Sequence, residues 1–168
     1  ALAINLKQEM GTENIISREK ELLATAFKEL EKIPNLKILA GNTKQRLGVI
    51  SFYIENAHYN LVVKLLSDNY GIQVRGGCAC AGTYGHFLLN VSHEKSSEIT
   101  SKIHSGDLSD KPGWIRLSLH PTMTDDTLKI ILEAIKNIAE NHQEMAKNYI
   151  YDNHQNEFYH KNPVDLPK

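Results

Sequence analysis

The chain has 168 residues, 41% of them hydrophobic and 23% charged, with a formal net charge of -1. That suffices for about one domain with its own core, and it lacks the basic tail or stripe that would point to nucleic acid. No apolar run approaches the roughly 18 residues of a membrane span, and no basic-then-apolar pattern resembles a signal peptide.

Taken in order, Ala1 to Met10 is mildly helical and Gly11-Thr12 interrupts it. From Ser17, read as an N-cap, Leu22, Leu23, Ala26, Phe27, Leu30 and Ile33 recur at helical spacing until Pro34 ends the pattern. Leu36 to Ala40 reads as a strand before a Gly41-Asn42 turn, and Leu47 to Ile54 as a second. A helix follows from about His58 to Asn69, stopped by Gly71 in the left-handed position. Ile72 to Arg75 is expected as a short strand delivering the chain into a glycine-rich loop.

Beyond the loop, Gly85 to Asn90 suggests one or two helical turns, and Ser92 to Ser105 a polar helix with Ile99 and Ile103 inward. Trp114 to Leu119 alternates as a strand, with Ile115, Leu117 and Leu119 on one side and Arg116 and Ser118 on the other. Thr124 is an N-cap, and Asp125 and Asp126 suit the positive end of the long amphipathic helix that follows. Tyr149-Ile150-Tyr151 and Glu157-Phe158-Tyr159 suggest a short hairpin before a proline-containing tail. The order of elements predicts an α/β chain of the two-layer α+β kind, a small, mostly antiparallel sheet covered by helices.

The chemistry concentrates in Arg75-Gly76-Gly77-Cys78-Ala79-Cys80-Ala81-Gly82. Two cysteines so close cannot staple a fold, and free thiols fit a reducing, cytoplasmic setting. As packing, each cysteine is a small half-buried filler; as chemistry, the glycines clear space around a thiol and Arg75 favours its thiolate. Metal binding is disfavoured, because Cys78-x-Cys80 is tighter than zinc pairs and no second pair follows. His86 and His120 are candidate bases by residue type alone, and His93 and His104 add no ligand spacing. Arg116, within an apolar strand, points either to solvent or to an anion such as a carboxylate.

These segments together resemble the C-terminal part of cysteine desulfurases and selenocysteine lyases, class V aminotransferase-like enzymes of the fold-type I pyridoxal-phosphate group. The resemblance rests on the arginine-glycine-cysteine loop and on Ile115-Arg116-Leu117-Ser118-Leu119. Arg46 to Phe52 and Thr124-Asp125-Asp126 agree in order, and the likeness covers roughly Asn14 to Ala139. It implies Cys80 as the persulfide-forming nucleophile, Arg116 as the clamp on the substrate carboxylate, and Arg75 as a residue tuning the thiol region. Cys78 is a departure, an extra thiol that makes a secondary role or sulfur passage between the two conceivable.

The same resemblance implies pyridoxal phosphate in a full-length parent, cysteine or a related amino acid as substrate, a homodimer and a sulfur-acceptor protein. The cofactor-binding lysine, the ring-stacking histidine and the aspartate partner belong to the family's large domain, and Lys7, Lys20, Lys28 and Lys44 match no such motif. Residues 1–148 are therefore expected to be a C-terminal small domain with 1–33 as its helical lead-in, and 149–168 an extension. Such a fragment is expected to hold no cofactor and to be inactive alone, with apolar surface uncovered on part of the Leu22–Ile33 helix. The alternatives are a class V aminotransferase or lyase without persulfide chemistry, or a non-catalytic module that binds a partner.

Overall fold

A computed structural model describes residues 2–78 and 82–162. Helices α1 (Leu2–Met10) and α2 (Thr12–Leu30) meet at Gly11, whose φ of 79° makes the break between them. Helix α2 therefore starts at Thr12 and not after Ser17, which lies inside it. Its apolar stripe is buried from Leu22 to Leu30, with Leu22, Ala26 and Leu30 at 0% exposure, so the expected bare face is not there. On these two helices the uncovered large apolar side chains are instead Leu2, Ile4 and Leu6 of α1 and Ile16 of α2.

Four strands, β1 (Leu36–Ile38), β2 (Val49–Ile54), β3 (Arg75–Gly77) and β4 (Trp114–Ser118), form a sheet in the order β1-β2-β4-β3. All three pairings are antiparallel. Strand β3 was expected over Ile72 to Arg75. It begins at Arg75 because the glycines, not the apolar run, pair with β4, while the Ile72 N–H turns back to the Leu66 carbonyl. The preceding helix α3 (Tyr59–Tyr70) ends as the sequence requires, with Gly71 at φ 65° and ψ 19°.

Between β3 and β4 lie α4 (Gly82–Leu88) and α5 (His93–His104), the latter capped by Ser92, whose side chain accepts from the Lys95 N–H. Helix α6 (Asp125–Ala146) starts at Thr124, whose side chain accepts from the Thr127 N–H. A separate antiparallel hairpin joins β5 (Tyr149–Asp152) to β6 (Glu157–His160).

Alternation along the strands sorts the two faces of the sheet. Ile50, Phe52 and Ile54 of β2 and Ile115 and Leu117 of β4 point into one cluster with the buried stripes of α2, α3 and α6. Each such side chain stabilises the fold by roughly 1.5–3 kcal/mol on burial, which fixes the register of β4. A one-residue slip would turn Arg116 into the core. The helix-covered antiparallel sheet is the architecture that the sequence pattern implied.

Candidate functional site

The register that buries Ile115 and Leu117 puts Trp114, Arg116 and Ser118 on the opposite face. There Arg116 pairs with Arg75 of β3 on one side and with Ser51 of β2 on the other. Two guanidinium groups thus share one face of the sheet on directly opposed residues, an arrangement that repels unless an anion lies between or above them. Among the described residues neither has a carboxylate within ion-pair distance. Arg75 is exposed and Arg116 half-buried, so Arg116 is the better held of the two. A fork carried on a strand suits bidentate recognition of a carboxylate.

Cys78 leaves the end of β3 directly after Gly77, which pairs with Trp114. It is half-buried as a free thiol, and a methyl placed on Gly85 of α4 would come within 3.6 Å of its Cβ and 3.3 Å of the Trp114 ring. Helix α4 therefore packs on the thiol's own stretch of chain. Cys80, the preferred nucleophile in the sequence, lies outside the described residues. A cleft lined by Arg75, Gly76, Gly77, Trp114 and Arg116 has a volume of about 20 Å³, room for about one water. Three larger hollows, about 710 Å³ beside Arg18 and Asp125, about 960 Å³ beside Lys44 and Arg46 and about 840 Å³ beside His58, Tyr59 and Gly113, include neither arginine of the pair in their lining.

The two candidate bases, His86 and His120, each contact a hydroxyl outside the cysteine segment. His86 Nδ1 lies 2.6 Å from Ser96 Oγ and His120 Nδ1 lies 2.7 Å from Thr122 Oγ1. Among the described residues no three His, Cys, Asp or Glu side chains gather as metal ligands, and no helix is long and apolar enough to cross a membrane.

Sequence reasoning missed Tyr59. Its buried ring lies against both glycines that flank the arginine pair: a methyl on Gly76 would come within 3.0 Å of Tyr59 Cδ2, and one on Gly113 within 2.5 Å of Cε1. Burial raises the phenol above its ordinary pKa; Asn156, donating to it, works in the other direction, and the nearby Cys78 adds to the rise. The signal present in sequence was a glycine directly before Trp114 and another, Gly76, directly after Arg75, the latter read as part of the loop.

Comparisons with known proteins assign the scaffold that carries the arginine pair. The model of the class-V aminotransferase family matches residues 1–131. This chain belongs to the class-V aminotransferase family. Among curated relatives, a cysteine desulfurase of Cronobacter sakazakii is 40% identical over 79 residues, covering 47% of this chain and 19% of that protein. A cysteine desulfurase of Escherichia coli is 38% identical over 79 residues, again covering 47% and 19%. The solved structure of a NifS-like protein from Rickettsia africae superposes with a TM-score of 0.58 at 24% identity, over 83% of this chain and 32% of that one, a likeness of fold. The class-V chain described here thus spans under a fifth of the curated relatives it matches.

Pyridoxal phosphate, the cofactor that class-V membership implies, needs a lysine amine held neutral in a closed site and a partner for its ring nitrogen. The described residues do not fit it. No described lysine is buried, and Lys95 and Lys102 are held above their ordinary pKa by hydrogen bonds to Glu98 and Asp110, the opposite of what such an amine requires.

Proposed function

We propose that this chain supplies the sulfur-accepting loop and the substrate-carboxylate clamp of a cysteine desulfurase-like enzyme, and not its cofactor site. The observation that carries this reading is the opposed pair Arg75 and Arg116 at the point where the chain enters the cysteine loop. Arg116 clamps the carboxylate of cysteine, Arg75 adds positive potential where the loop begins, and Cys80 is the nucleophile with Cys78 as a secondary thiol. In the overall step the Cys80 thiolate attacks the substrate sulfur. A sulfur–sulfur bond forms, the substrate carbon–sulfur bond breaks, and its carbon takes the electron pair and a proton to leave as alanine. The enzyme thiol plus cysteine thus become enzyme persulfide plus alanine, with no outside oxidant.

Because the described lysines do not fit the cofactor, that part of the chemistry comes from protein beyond these residues, and the 168-residue chain alone is expected to release no alanine. Residues 1–148 serve as the small domain of such an assembly, and the hairpin after them as an extension of it.

The clamp is tested in the full translated product that contains these residues. Arg116→Gln is expected to raise KM for cysteine by about tenfold or more, the scale of losing a charge-assisted hydrogen bond. It should also erase discrimination against cysteamine, which has no carboxylate. An unchanged KM and unchanged discrimination would remove Arg116 from the substrate site.

A further inference from the structure

The hairpin formed by β5 and β6 follows the segment matched by the family model, which ends at residue 131, yet its turn is wired to the element that supports the thiol loop. Asn156, in that turn, is 8% exposed and sits at a left-handed φ of 58°. Its side-chain Nδ2 donates to Tyr59 Oη at 2.6 Å, and its Oδ1 accepts from the Tyr151 hydroxyl at 2.9 Å. Its backbone carbonyl accepts from Asn60 Nδ2. One buried asparagine therefore satisfies three polar groups and ties the hairpin to the first turn of α3.

Tyr59 passes that constraint on. Its ring is wedged against Gly113, where a Cβ would meet Cε1 at 2.5 Å, and it joins Val63 and Asn60 in covering Gly76, where a Cβ would meet Val63 Cγ2 at 2.9 Å and Asn60 Oδ1 and Tyr59 Cδ2 at 3.0 Å. Gly76 is the middle residue of β3, between Arg75 and Gly77, and Cys78 follows. Short, half-satisfied edge strands made of glycine have little packing of their own to hold them. The Tyr59 ring supplies it here together with Val63 and Asn60 of the same helix.

We infer that Asn156 is a positioning residue for the Cys78 thiol, acting through the Tyr59 ring on the glycine strand from which Cys78 departs; only the service of that position to sulfur transfer rests on the proposed function. The hairpin is then a working part of the site and not a terminal ornament.

The test is the rate and pH profile of Cys78 alkylation by iodoacetamide, read on the Cys78 peptide in a Cys80→Ser background, which leaves Cys78 as the one thiol of these 168 residues. Asn156→Gly keeps the left-handed backbone and deletes the side chain, and Tyr59→Phe keeps the ring and deletes its acceptor. Each is expected to speed alkylation at neutral pH by about fivefold, the scale of one hydrogen bond, with a shifted pH midpoint. The double variant should be no faster than the faster single, as for two ends of one interaction. Rates and midpoints that stay at the parent values, or effects that simply multiply, would overturn the inference, even if unfolding by urea moved. Should Asn156→Gly fail to fold, Tyr59→Phe decides alone by the same criterion. Alkylation needs no sulfur transfer, so a failed desulfurase assay with an intact Asn156–Tyr59 coupling would sink the proposed function and leave this inference standing.

Discussion

Arg75 and Arg116 face each other across the β3–β4 ladder, with no carboxylate paired to either among the described residues. A fold selected only for stability has no use for that arrangement, because like charges at directly opposed positions oppose pairing. Replacing Arg75 by threonine, a good strand residue, is therefore expected to stabilise the ligand-free protein by roughly 0.2–1 kcal/mol in low salt. The gain should shrink as salt screens the pair. Urea unfolding at two ionic strengths measures it, and a salt-independent loss of stability would mean the two guanidinium groups do not sense each other.

The hairpin's contacts predict how stability varies with pH. His58 caps α3 by accepting the Asn60 N–H at its Nδ1, at 3.1 Å, and stacks on Tyr59 at 4.6 Å. Burial lowers its pKa from the ordinary 6.5. The unfolded chain thus takes up the proton more readily, so the contribution is whole above pH 6.5 and is lost as pH falls through the lower folded value. Tyr149 has the opposite sign: burial, with its hydrogen bond to Asp68, pushes its pKa from 10.0 up to about 12. Its contribution is whole below pH 10.0 and disappears as pH rises toward 12. His58→Asn, which keeps a cap, should flatten the acid limb of the stability profile, and Tyr149→Phe the alkaline limb. Profiles unchanged in shape would refute both assignments.

Gly113 has a steric role. A methyl there would meet Tyr59 Cε1 at 2.5 Å, Cδ1 at 2.7 Å and Cζ at 2.8 Å, and an aromatic ring cannot bend away as a lysine tail does. Gly113→Ala is expected to destabilise by about 1–3 kcal/mol, the usual cost of overpacking. Thermal or urea unfolding that matches the parent protein would show that the ring has room to retreat.

Much of this was legible in the chain because local chemistry and global packing agree there. Alternation from Trp114 to Leu119 gave the facing of β4, Thr124 its cap, and Gly71 its left-handed stop. The limits have physical causes too. Arg75-Gly76-Gly77 has no side-chain pattern to mark a strand, since its pairing comes from β4 and its packing from Tyr59, Asn60 and Val63 of α3. The start of α2 was misplaced because Ser17, of a residue type favoured at caps, lies inside the helix, while the true boundary is set by the φ of Gly11. The bond between Asn156 and Tyr59 joins residues 97 positions apart, and nothing in either neighbourhood announces the other.

The central claim is that the loop accepts sulfur on Cys80 beside an arginine clamp. It is tested most directly by incubating the full translated product with cysteine, mapping persulfide by mass spectrometry and measuring alanine, for the parent, Cys80→Ala and Cys78→Ala. The account predicts one added sulfur on the Cys80 peptide with matching alanine in the parent, the same in Cys78→Ala, and neither in Cys80→Ala. Persulfide and alanine persisting at parent levels in Cys80→Ala would contradict it.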